Sequence, residues 1–514
     1  MPKSRKQKAT LNITTSLILE AVALLNGFIL PRLVLQAYGS AYNGILASAT
    51  HFFSLISVLT LGVTASTRVA LYRTLAAEDV KATSAIVNGT EQYMRRIGYI
   101  LAVYIVVLAC IYPLVIETGF TFIDVSTLII IVGIAAFAEY YFGITYRTFL
   151  LADQSSYISN IFAIVATVLN VILTVILIDA GFTIQVVKFG SSVVFVLKPL
   201  LQYIYVSKVY HLDKNCEPDM TALNERGAAM THALANIVHD NTSLVVLTFF
   251  TDVKTVSVFT IYNLVVNGLK KLQSVFTVGT EPIFGNMWVK GEIDAIRRNL
   301  GIYEYFISVF STIAYSVTMV MILPFISIYT KNITDVEYIR PLYAIVIILA
   351  FVGLSYRTPY LALVQGIGHY RQTKVVAVWE AVINIVLSTL LVIMIPQYNL
   401  KMIGVAIGTL VANFFRTVQY ALYIDKHVIH RGKRVFILKI LWTLMNMAII
   451  VLPTYSLVQN MAIYSWIQWL KVSIALFLFS LFVVGISSFL FLRNDMTATL
   501  HVMKQMVNKR LKKH

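Results

Sequence analysis

Of 514 residues, 58% are hydrophobic and only 13% are charged, and the mean hydropathy is +0.78. Soluble domains carry about 25% charged residues, so this chain cannot clothe a water-facing surface of ordinary size. Its net charge of +17 needs no nucleic acid, because it falls in short segments between apolar runs, where anionic lipid headgroups attract it.

The chain opens on a basic segment (Lys3, Arg5, Lys6, Lys8) that leads into an apolar run interrupted by Glu20. That run has no small-residue cleavage site, so it reads as an uncleaved first helix. Apolar runs of about 20 residues then recur to the end, each long enough to cross a hydrocarbon core of about 30 Å. They lack strict alternation and must satisfy their own backbone, which makes them helices. The predicted spans are 13–35, 42–66, 97–116, 125–149, 157–178, 184–206, 229–251, 256–280, 302–329, 340–364, 374–395, 402–424, 436–457 and 467–491. The fold class is an all-α membrane protein with about 14 transmembrane helices. Cys110 falls inside a span and Cys216 in a polar loop, so no disulfide framework is suggested.

Basic residues alternate from loop to loop, and short-loop Lys and Arg set orientation. With the N-terminus inside, the inner segments hold Lys3 to Lys8, then Arg73, Lys81, Arg95 and Arg96, then Arg147. They continue with Lys208, Lys214 and Arg226, then Lys290, Arg297 and Arg298, then Arg371 and Lys374. The last are Lys426 to Lys439, then Arg493 to Lys513. The outer side offers only Arg32, Lys188, Lys254, Lys331, Arg340, Lys401 and Lys471. Both termini are therefore expected in the cytoplasm, with the basic tail lying on the membrane surface.

The chain also echoes itself. Tyr146-Arg147-Thr148 with Leu151-Ala152 recurs 210 residues on as Tyr356-Arg357-Thr358 with Leu361-Ala362. Asn170 to Thr174 returns as Asn384 to Ser388, Gln202-Tyr203 as Gln419-Tyr420, and Leu61-Gly62 as Val278-Gly279. The expected organisation is a six-helix bundle over 1–208, a cytoplasmic linker at 209–228 and a second six-helix bundle over 229–426. Two further helices and a basic tail occupy 427–514. Because six is even, the halves have the same topology, a pseudo-symmetric pair about the membrane normal that can open alternately to either side.

No G-x-x-x-x-G-K-[ST] loop is present, the Gly366-x-Gly368 pair lacks the strand context of a dinucleotide site, and no metal-ligand spacing stands out. An enzyme is not expected, nor a cofactor or metal. Ionisable residues inside spans are functional candidates, because burying them in lipid is expensive. Arg68, Arg147, Arg357 and Arg416 lie near span ends, where snorkelling is the plain alternative. Glu304 reads as interfacial, and Arg32 as an anchor of the first span or a cavity cation. Deeper lie Glu20, the pair Lys270 and Lys271, and the set His232, Asn236, His239 and Asp240. The spacing of that set places it on one helical face. Cations in a lumen would attract a phosphate-bearing substrate. A carboxylate there can carry a proton or counter sodium, coupling transport to an ion gradient. Asp240 and Glu20, with His239 and His232, are the candidates.

The stretch Leu30-Pro31-Arg32, Tyr38-Gly39, Tyr42-Asn43-Gly44, Leu61-Gly62 and Arg68 resembles the opening of bacterial polysaccharide flippases. These belong to the multidrug/oligosaccharidyl-lipid/polysaccharide exporter superfamily. Tyr146-Arg147-Thr148, Leu151-Ala152, Gln154 and Tyr157 are similar to that family's junction of fourth and fifth helices. The resemblance implies export of undecaprenyl-pyrophosphate-linked oligosaccharide from the cytoplasmic to the outer leaflet of the bacterial cytoplasmic membrane, by alternating access. It implies a lipid-linked oligosaccharide and membrane lipids as partners, with contact to polysaccharide assembly enzymes. Arg32 and Arg68 match its motif positions, whereas Lys270 and Lys271 join them as cavity cations on depth alone. The last two helices depart from the twelve of many such flippases and match the count of the lipid II flippase, where the extra pair forms a groove for the lipid tail. Lipid II therefore remains the alternative cargo. An ion-coupled multidrug exporter fits a cationic interior poorly.

Overall fold

A computed structural model describes residues 4–210, 212–220, 228–277, 280–432 and 434–511. Lys3, Arg226, Lys433, Lys512, Lys513, the Val278-Gly279 pair and residues 221–227 of the expected linker lie outside the described residues, as do the side chains of Arg5, Lys6, Lys509 and Arg510. Every regular element among the described residues is helical. Among the described residues thirteen helices are long and apolar enough to cross a membrane, one for each predicted span except 256–280. That span is a helix, Val253–Thr277, but Lys254, Asn263, Asn267, Lys270, Lys271 and Gln273 interrupt its apolar run.

The chain forms two compact units, Met1–Thr260 with Asn332–Val336, and Ile261–Lys331 with Glu337–His514. Unit 1 contains α1 (Arg5–Tyr38), α2 (Ser40–Leu55), α3 (Val63–Ala76), α4 (Val80–Val115), α5 (Phe122–Ala138), α6 (Ile144–Ala152), α7 (Ser156–Asp179), α8 (Ile184–Val209) and α9 (Ala228–Phe250). The helix α10 (Val253–Thr277) starts there and continues into unit 2. Unit 2 adds α11 (Thr280–Val289), α12 (Ile293–Tyr329), α13 (Pro341–Gly366), α14 (Tyr370–Met394), α15 (Lys401–Ile424), α16 (Arg434–Gln459), α17 (Trp466–Phe491) and α18 (Arg493–Leu511).

The predicted second span, 42–66, is broken. After α2 the chain tightens through Ile56–Thr60 and turns at Gly62, whose φ of 83° suits a residue without a Cβ. Arg68 thus belongs to the separate helix α3. Within unit 1 the Tyr42-Asn43-Gly44 motif is a packing device. A Cβ on Gly44 would come within 1.7 Å of the Val253 carbonyl oxygen, so only glycine lets α2 approach the start of α10. Beside it Asn43 donates to Ser257 at 2.8 Å. One helical face further along, Ser48 meets Thr248 at 3.0 Å and His51 meets Asn241 at 2.8 Å. This polar ladder joins α2 to α9, satisfying groups that lipid cannot.

In unit 2 the long helix α12 is the centre. Trp469 of α17 donates to the Met321 carbonyl at 3.0 Å, and Thr312 meets Thr443 of α16 at 3.2 Å. Asn446 donates to Ser487 at 2.9 Å, holding α16 to α17. Glu304, expected at the interface, is instead buried: Arg431 binds both its oxygens at 2.9 and 2.7 Å, and Lys439 lies at 3.1 Å. Lys439 also pairs with Asp495 of α18 at 3.2 Å. A carboxylate supplied with two cations no longer needs water.

Candidate functional site

Arg68 and Thr64 lie one turn apart on α3, and so share a face. Arg147 and Thr148 open the second turn of α6, and Ser156, Ser159 and Asn160 occupy the first turns of α7. These residues, with Ala65 and Leu151, line a cavity of about 330 Å³ in unit 1. Glu139 stands beside Arg147, in the wide helical turn Glu139–Gly143 that joins α5 to α6. Such turns are rare and favour functional sites. Gly143 makes room for it, because a Cβ there would meet the Glu139 Oε2 at 2.9 Å. The carboxylate pairs with Arg147 and with Lys198 of α8, both at 2.9 Å. Among the described residues no carboxylate pairs with Arg68. The cavity wall therefore carries two cations, Arg68 and Arg147, and only Arg147 shares a carboxylate, which Lys198 also neutralises.

Unit 2 contains a counterpart made of the same parts. Arg357 of α13 and Arg416 of α15 grip the two oxygens of Glu380 on α14, the latter at 2.5 Å. Arg416 also donates to Tyr420 at 3.0 Å. The snorkelling alternative does not describe this pair, since neither guanidinium reaches out of the protein. Arg357 repeats Arg147, and Arg416 stands 218 residues after Lys198. Burial along α8 and α15 also matches at 218: Ser191 with Thr409, Val194 with Ala412, Gln202 with Tyr420, Val206 with Ile424. The Gln-Tyr echo at 217 is thus one residue out of phase, which on a helix turns a side chain by about 100°.

The helix ends agree as well. Gln154 at φ 59° and Gly368 at φ 74° occupy the same left-handed turn, 214 residues apart. In each, the next amide bonds back five residues, Ser155 to Leu150 and His369 to Val364. The Gly366-x-Gly368 pair is accordingly a helix C-cap.

The other sequence candidates scatter. Glu20 and Arg32 lie on α1, the first exposed and the second half-buried. On α9, His232 and His239 are buried and Asn236 half-buried, but Asp240 is exposed, so the four do not share one burial state. Lys270 is half-buried and Lys271 exposed on α10. Arg68 is brought together with Arg147. Glu139 and Lys198 fall within the predicted spans 125–149 and 184–206, but nothing in the sequence paired them. Asn241, which links α9 to His51, carried no charge signal at all.

Unit 2 also has an apolar groove of about 610 Å³, lined by Leu349 of α13, Leu410, Val411, Phe414, Phe415, Val418 and Gln419 of α15, and Leu444 of α16.

No family model and no curated protein matches the chain. Solved structures do. The lipid II flippase MurJ, in an inward closed conformation, is similar at a TM-score of 0.61 and 13% identity, covering 94% of this chain and 99% of its own. A multidrug resistance MATE family transporter of the MOP superfamily, inward-facing, gives 0.55 and 14%, covering 82% and 98%. The Vibrio cholerae MATE transporter VcmN in its bent form gives 0.52 and 18%, covering 82% and 98%. The chain shares the fold of these solved transporters, and the protein is a multi-pass membrane protein.

Proposed function

We propose that this chain is a flippase that exports undecaprenyl-pyrophosphate-linked oligosaccharide repeat units across the bacterial cytoplasmic membrane, for capsule or another surface polysaccharide. The observation that carries this reading is the apolar groove to which α16, the first of the two appended helices, contributes Leu444. A soluble substrate has no use for it, whereas a prenyl chain stabilises itself there by burying about 25 cal/mol per Å² of apolar surface. The likeness to MurJ extends over more of the chain than that to the MATE transporters, as a lipid-linked cargo would lead one to expect.

In this reading 1–208 and 229–426 act as two bundles in alternating access, with both termini cytoplasmic. Arg32, Arg68, Lys270 and Lys271 attract the phosphate end of the cargo, and Asp240, Glu20, His239 and His232 couple export to a proton or sodium gradient. The same groove would serve lipid II, which is the second reading. A multidrug exporter leaves the groove without a role.

Cells lacking the protein decide between cargoes. Accumulated capsule precursor on the inner leaflet with normal peptidoglycan is the expected result; accumulated lipid II replaces the cargo, and normal levels of both reject the reading. Lys271→Ala and Asp240→Asn should each impair complementation at unchanged protein level. Full complementation by both would remove them from the site.

A further inference from the structure

We propose that the cavity between α3, α6 and α7 binds a phosphate group, and that Glu139 regulates it by competing with that phosphate for Arg147. The wall holds two guanidinium groups and no acid, with hydroxyls from Thr64, Thr148, Ser156 and Ser159. Guanidinium forks match the paired oxygens of a phosphate, and hydroxyl donors complete its shell. Ser159 accepts from Gln202 at 2.8 Å, which leaves its own proton to donate. Ser156, Ser159 and Asn160 stand at the N-terminal end of a 24-residue helix, where the backbone dipole favours negative charge. At about 30 Å³ per water, a cavity of about 330 Å³ admits a phosphate with part of its hydration.

Glu139 makes the site adjustable. The Arg147 side chain is 51% exposed although it pairs with Glu139, so one edge of its guanidinium already faces the cavity. An incoming phosphate draws Arg147 away, and Lys198 keeps Glu139 neutralised. The counterpart Arg357 is 9% exposed and has no such open edge. The phosphate can come from a phospholipid headgroup or from a soluble or cargo phosphate.

This deepens the assignment of Arg68 made above, but it is read by binding alone, so its failure leaves the genetic test of the flippase reading intact. Native mass spectrometry of the full-length protein in neutral detergent would use two probes, dioleoylphosphatidylglycerol and inorganic pyrophosphate. The Arg68→Gln/Arg147→Gln double variant should bind at least one probe about tenfold more weakly than wild type. Glu139→Gln should bind that probe several-fold more tightly, a gain that misfolding cannot produce. Weakening for the lipid alone identifies a headgroup site, and weakening for pyrophosphate as well shows that the phosphate itself is read. Wild-type binding by the double variant, no tightening in Glu139→Gln, or no binding of either probe by wild type would each overturn the proposal.

Discussion

Glu139 of unit 1 sits between Arg147 and Lys198, with side chains 24%, 51% and 19% exposed; Glu380 of unit 2 sits between Arg357 and Arg416, at 0%, 9% and 1%. Both sites place one carboxylate between the arginine of a Tyr-Arg-Thr motif and a cation on a later helix. They differ in depth, and depth changes what the charges do. In unit 2 the attraction is strong, every partner is obligatory, and the cluster is a fastening. In unit 1 solvent weakens each contact, so an arginine can change partners, which a binding site requires. The acid itself moved: it comes from the wide turn before α6 in unit 1 and from α14 in unit 2.

The largest test of this contrast removes each acid. Glu380→Gln leaves two guanidinium groups buried against a neutral amide, and stability should fall by about 3–5 kcal/mol. Glu139→Gln, at a partly exposed pair, should cost no more than about 1 kcal/mol. Melting of the purified variants in detergent checks this, and equal losses would mean that depth is not what distinguishes the clusters.

A smaller test concerns the shared helix end. Gln154 at φ 59° bears a strain of about 1 kcal/mol that glycine avoids. Gln154→Gly should therefore raise the melting temperature and Gly368→Gln should lower it. If the two substitutions shift melting in the same direction, the turns are not equivalent.

The smallest effect is a pH dependence in unit 2. His369, in the turn before α14, contacts Tyr423 at 2.9 Å. Burial lowers its imidazole below the usual range, and the nearby His427 adds to that. The folded state then disfavours a proton that the unfolded chain accepts. Stability is full above about pH 6.5 and falls as pH drops through the lower folded value. Melting of wild type against His369→Gln should diverge on acidification, with wild type losing more.

Hydropathy was enough to read the helices, because a bilayer imposes length and composition on each one separately. The expected span at 256–280 shows the limit, since a helix with two lysines in its interior carries a weaker signal. Pairing was not legible. Arg357, Glu380 and Arg416 lie on three helices, and single-chain spacing says nothing about which faces meet. For the same reason snorkelling could not be told from burial, and the Gln-Tyr echo was read one residue out of phase. The break at Leu61-Gly62 was present as a motif, but its meaning, a turn that frees α3 to present Arg68, depends on the backbone.

The Glu304 contacts have a bearing on how such a chain can be shortened. Both cations on that carboxylate, Arg431 and Lys439, come from beyond the twelfth span. A chain ending there would keep the acid within α12 and lose everything that neutralises it. Deleting the appended helices together with Arg431 would therefore leave Glu304 without either of its cations. Glu304 would have to change first, or at the same time.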